Sequence, residues 1–174
     1  MKYLFFLFAM TTLITSNAQD SSLVDYPGFV AMTDEVQEYR ASRLISIDTF
    51  NLYSKEEGTI ILDTRSKKAY DEVHIAGSIH LNFSDFTTAK LAKVIPSLNT
   101  RILIYCNNNF DAPNFEALTA KSTLLALNIP TFINLYGYGY KNVYELRDLV
   151  TKTDPRIKLE GTKVPKVEMG KATK

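Results

Sequence analysis

The stretch TIILDTRSKKAYDEVHIAGSIHLNF, Thr59 to Phe83, decides how this chain folds. TIILD is an apolar, β-branched run of the kind that lies buried on both faces of a parallel sheet. SKKAYDEV reads as a short helix and GSIHLNF as the next strand. A strand followed by a helix and another strand is the repeating unit of α/β proteins, so the flanking segments should alternate in the same way.

They do. Upstream, RLISID (Arg43 to Asp48) is a short strand, and TFNLYSKEE carries Phe50 and Tyr53 at helical spacing before Gly58 closes it. Downstream, FTTAKLAKVI is a helix stopped near Pro96, and RILIYC (Arg101 to Cys106) is a second fully apolar strand, expected at the sheet centre. From Phe115 to Leu127, the residues Ala117, Ala120, Leu124 and Leu127 form an apolar stripe, widened by Phe115, Leu118 and Leu125, which predicts a helix. Asn128 suits a left-handed cap for it, and Pro130 bars its continuation. TFINLY then reads as the last strand and YKNVYELRDLV as the last helix, with Val143, Leu146 and Val150 facing inward. The expected class is α/β, a mostly parallel central sheet with helices on both faces.

The chain begins MKYLFFLFAMTTLITSNAQD: one lysine, an apolar block from Tyr3 to Ile14, then small residues at Ser16 and Ala18. This is the layout of a secretory signal peptide cleaved after Ala18. The block is shorter than the roughly 20 residues that cross a bilayer. The expectation is an exported protein, periplasmic in a bacterium, with no membrane attachment once residues 1–18 are removed. Residues 19–42 read as an N-terminal appendage containing a short helix, TDEVQEYRAS, capped by Thr33 with Val36 and Tyr39 on one side. Residues 43–151 form the main domain. Residues 152–174 are a basic tail, seven Lys or Arg against three Asp or Glu, in which IKLEG has the makings of an edge strand.

Charge is nearly balanced, 20 basic against 19 acidic side chains, so nothing points to nucleic acid as a partner. The two histidines, His74 and His80, show no ligand spacing with the single cysteine, so no metal site is expected. One cysteine makes no internal bridge, and in an oxidising compartment it is either buried and inert or a reactive thiol. Cys106 stands at the carboxyl end of the expected central strand, where open α/β sheets bind ligands and helix N-termini present unpaired N–H groups. Those donors favour the thiolate, the reactive form. NNNFDAP follows, and asparagine tolerates the left-handed backbone that turns successive amides into one concavity. The residues alone leave both readings of Cys106 open.

The order of these segments resembles the rhodanese-like domain over about Leu44 to Leu149. Asp63 and Arg65 match the family's Asp-x-Arg, Tyr70 its aromatic residue, and His74, Ile75 and Gly77 its Gly-His-Ile-x-Gly-Ala, with Val73 and Ser78 replacing the outer residues. RILIYC looks like the strand that delivers the active-site cysteine. The resemblance implies that Cys106 accepts sulfane sulfur from a small donor such as thiosulfate, becomes a persulfide, and passes the sulfur to a thiol or cyanide without a cofactor. The loop Asn107, Asn108, Asn109, Phe110, Asp111 and Ala112 would bind the donor, and Asp63, Arg65, His74 and Gly77 would be framework. Tyr136, Gly137 and Tyr138 stand where the family has Gly-Gly and would rim the site, unless they serve burial. The family's loop ends in arginine; here Asp111 holds that place, which predicts a raised thiol pKa and weak thiosulfate activity. No basic residue lies between Cys106 and Lys121, which leaves Lys67 or Lys68 as candidates to approach the mouth. Two other functions compete with the sulfurtransferase: a non-catalytic module that binds a protein partner or an anion, and an exposed redox-sensing thiol.

Overall fold

A computed structural model describes residues 23–164; the expected signal peptide and the last ten residues lie outside them. In chain order the elements are α1 (Tyr26–Ala41), β1 (Leu44–Ile45), α2 (Ile47–Tyr53), β2 (Ile60–Asp63), α3 (Lys67–Glu72), β3 (His74–Ile75) and β4 (Ile79–His80). There follow α4 (Thr88–Val94), β5 (Ile102–Tyr105), β6 (Phe110–Asp111), α5 (Asn128–Gly137), β7 (Val143–Leu146), β8 (Val150–Thr151) and β9 (Leu159–Glu160).

Five strands form a parallel sheet in the order β1-β7-β5-β2-β4. β5 lies at its centre, in register with β2 (Ile60 opposite Ile102, Asp63 opposite Tyr105) and with β7 (Ile102 opposite Val143). Side chains alternate across a strand, so β5 feeds two cores. Ile102 and Ile104 pack with Leu62, Leu91, Phe132, Leu135 and Val143. Leu103 and Tyr105 pack with Phe50, Val73, Leu118 and Leu146 on the opposite face. Such two-sided burial is why TIILD and ILIY carry no polar alternation.

The strand expected over Arg43–Asp48 is confined to Leu44–Ile45, because a helix begins at Ile47, and side-chain caps start it and the two helices that follow. The Ser46, Ser66 and Thr87 side chains accept the N–H groups of Thr49, Ala69 and Lys90 at the heads of α2, α3 and α4. The first helix differs from expectation: it starts at Asp25, whose carboxylate accepts the Gly28 N–H at 2.8 Å. Thr33 lies inside it, donating to the Phe29 carbonyl.

Between Phe115 and Leu146 the expected assignments are overturned. Residues 115–127 form two isolated 3-10 turns, Glu116–Leu118 and Thr123–Leu125, and Leu124 and Leu125 are exposed. TFINLY is helical, within α5. Pro130 is its third residue, where a missing N–H costs nothing because the first-turn donors have no partner inside the helix. Phe132, Ile133 and Tyr136 then bury one stripe. VYEL is a strand, with Val143 in one core and Leu146 in the other. Glu145 hides this alternation in the sequence. It is buried in mid-strand because Arg40 of α1 grips its carboxylate with two bonds of 2.7 and 2.6 Å.

The segment after Asp154 joins neither edge of the main sheet. β9 pairs antiparallel with β3, Leu159 opposite Ile75, while β6 and β8 form a separate parallel pair.

Candidate active site

Cys106 follows β5 directly, at the carboxyl end of the central strand. Its N–H donates to Asn109 Oδ1 at 2.9 Å, and its carbonyl accepts the Asn109 N–H at 3.1 Å, closing a short turn over Asn107–Asn109. The residue is 1% exposed. Burial pushes the thiol's pKa up. The backbone N–H groups of Asn128, Asn108 and Leu127 pull it down, Glu145 adds an upward push, and the net shift is upward. Two of those amides belong to the start of α5, whose dipole end favours negative charge.

A cavity of about 220 Å³ opens beside the sulfur, lined by Arg65, Ser66, Ala69, Cys106, Asn107, Asn108, Lys121 and Leu127. Arg65 is held by Asp63, Val73 and Asn107. Its Nη2 donates to Asp63 and to the Val73 carbonyl, both at 2.6 Å, and its Nη1 to Asn107 Oδ1 at 2.8 Å. Burial lowers the guanidinium's pKa, but the Asp63 carboxylate more than offsets this and the net shift is upward. Tyr105 donates to the same carboxylate, and burial followed by the Asp63 charge raises the phenol's pKa. Lys121, an exposed residue, enters no ion pair among the described residues. The arrangement can take a small anion beside a sulfur that is protonated at rest and has amide donors ready for the thiolate.

The three asparagines bring distant segments together. Asn107 donates to the Thr119 carbonyl at 2.9 Å. Asn108 holds Lys121 on both sides, donating to its carbonyl at 2.8 Å and accepting its N–H at 3.1 Å. Asn109 donates to the Leu146 carbonyl at 2.7 Å and accepts from Asn128 Nδ2 at 2.9 Å. Side chains that take up backbone groups of residues 119–121 compete with helix formation there, which accounts for the broken 115–127 segment.

The other residues singled out in the sequence are dispersed. Phe110 turns into the core. Asp111 and Ala112 line a separate groove of about 610 Å³, and the carboxylate among the leading causes of the shift at Cys106 is Glu145. Tyr136, Gly137 and Tyr138 lie at the far end of α5, about 12–15 Å along the axis from its first residue. There Tyr136 donates to Glu35, Tyr138 to the Phe86 carbonyl, and a Cβ on Gly137 would meet Met32 Sδ at 2.8 Å. Lys67 and Lys68 pair with Asp71 and Glu72 within α3. His74 stacks on Tyr70 with ring centroids 4.0 Å apart, and Gly77 takes φ 78°, a turn that suits glycine.

Ser66, Ala69, Lys121 and Leu127 were not legible as lining residues. Ser66 announces itself as a helix cap just after Arg65, but Lys121 carries no local signal, because its place depends on Asn108.

Residues 46–148 match the family model of the rhodanese-like domain, more than half of the chain, and the chain belongs to that family. No curated protein matches it. Among solved structures, a rhodanese-like domain from Anabaena sp. is 17% identical, with 76% of this chain and 89% of that one covered and a TM-score of 0.42. A Bacillus halodurans protein is 18% identical, with 67% and 74% covered and a TM-score of 0.43. The single-domain sulfurtransferase RDL2 of Saccharomyces cerevisiae is 10% identical, with 60% and 82% covered and a TM-score of 0.41.

Proposed function

We propose that this chain is a sulfurtransferase or persulfide carrier in which Cys106 accepts sulfane sulfur. The observation that carries this reading is the sulfur's position at the end of the central strand, beside a cavity of about 220 Å³ and within the influence of three backbone N–H groups. The thiol first gives its proton to solvent. The thiolate then attacks the outer sulfur of a donor such as thiosulfate; a new S–S bond forms, the donor's S–S bond breaks, and sulfite leaves with the electron pair. An acceptor thiolate or cyanide next attacks the outer sulfur of the persulfide, and Cys106 leaves as thiolate. One difficult transfer thus becomes two easier ones, with Cys106 as nucleophile and then as leaving group. The amides of Asn108, Leu127 and Asn128 favour negative charge in both steps. The apolar block near the N-terminus supports export as the setting, and the N-terminal residue of the mature protein, read by mass spectrometry, tests it.

A binding module without turnover is the second reading. The raised pKa of Cys106 favours it, because little thiolate is present at neutral pH. Incubation with thiosulfate or polysulfide followed by intact-mass measurement separates the two. A mass gain of one sulfur on the wild type, absent from Cys106→Ser, is expected. No gain with either donor leaves the binding module.

A further inference from the structure

We infer that Lys121 is the anion anchor of the Cys106 cavity, holding the charged end of a small sulfur donor so that the site selects anionic over neutral donors. The assignment to sulfur donors rests on the function proposed above.

The loop that follows Cys106 supplies no cation: from Asn107 to Ala120 there are Asp111 and Glu116 and no lysine or arginine. Of the two cations on the cavity wall, Arg65 has its charge neutralised by Asp63, and it also donates to Val73 and Asn107. Lys121 is the remaining one, in no ion pair among the described residues. The wall therefore carries one uncompensated positive charge. Its position is not left to a mobile loop. Asn108, two residues from the sulfur, binds both the N–H and the carbonyl of Lys121, so the backbone of the lysine is tied to the turn that holds the thiol. Size points to the same class of ligand. About 220 Å³ is below the roughly 300–1,000 Å³ of pockets for drug-sized molecules, and suits an inorganic or small organic anion.

Lys121→Gln keeps length and polarity but removes the charge. For thiosulfate, the concentration giving half-maximal persulfide formation should rise about two- to fivefold, the scale of one exposed ionic contact, with the maximal rate nearly unchanged. Lys121→Arg should stay near wild type, and a neutral donor such as a dialkyl trisulfide should react equally with all three proteins. Equal thiosulfate half-saturation in wild type and Lys121→Gln overturns the inference, as does an equal loss with the neutral donor, which would mark a structural role. Cys106→Ser separates this inference from the function it rests on, since that variant binds without reacting. Calorimetric binding of thiosulfate to Cys106→Ser, weakened about two- to fivefold by adding Lys121→Gln, supports the anchor even if the wild type forms no persulfide. Undiminished binding in the double variant overturns it.

Discussion

The Cys106 sulfur experiences opposed forces. Burial and the Glu145 carboxylate favour the thiol, while three amide donors favour the thiolate, and the thiol prevails. The rate of persulfide formation should therefore keep rising with pH beyond the ordinary thiol range, a dependence that stopped-flow alkylation of the same residue should reproduce. Folding is linked to the same proton. The unfolded chain releases it at lower pH than the folded one, so its contribution to stability is complete below the unfolded pKa and is lost as pH rises to the folded value. Denaturant midpoints across that alkaline window should fall less steeply for Cys106→Ala than for wild type. Glu145→Gln removes the negative charge but can keep a hydrogen bond to Arg40, so it should lower the pH at which Cys106 titrates. Asp111→Arg should leave thiosulfate turnover unchanged, because Asp111 lines a different groove. A marked gain in turnover would place the 110–112 loop back beside the sulfur.

Among the elements, the turn Asn107–Asn109 has the widest reach. Its side chains bind backbone groups at Thr119, Lys121 and Leu146 and join the amide of Asn128. Each such bond to a partly buried group contributes about 1 kcal/mol, more where a buried partner would be left unsatisfied. Asn108→Ala removes two bonds to Lys121 and should speed hydrogen exchange at the Lys121 amide by about tenfold or more. Exchange at the β5 amides should be unaffected. α5 contributes from both ends: its first residues supply amides to the sulfur, while Gly137 leaves room for the Met32 side chain of α1.

In the whole molecule, α1 closes one face of the sheet. Val36 is buried against the α5 core, and Arg40 reaches Glu145 on β7. Arg40→Ala leaves a nearly buried carboxylate unpaired and should destabilise the fold by about 3 kcal/mol in denaturant titration. Replacing both partners with apolar residues, Arg40→Met with Glu145→Leu, should restore stability to within about 1 kcal/mol of wild type. Loss of stability in the double variant as large as in Arg40→Ala would show that the pair holds more than its own charges.

The sequence by itself determined the centre of this protein. Continuous β-branched runs specify β2 and β5, Ser66 and Thr87 start α3 and α4, and the lone cysteine falls at the end of the central strand. Those signals are local and survive without partners. Residues 115–146 were decided only in three dimensions. Apolar spacing over so short a run fits helix and strand alike, and what selects between them is distant: Arg40 allows a glutamate inside β7, and Asn107 and Asn108 take the backbone groups that a helix at 119–121 would use. The lining of the Cys106 cavity follows the same rule, because Lys121 reaches it through Asn108 and not through its own neighbours in the chain.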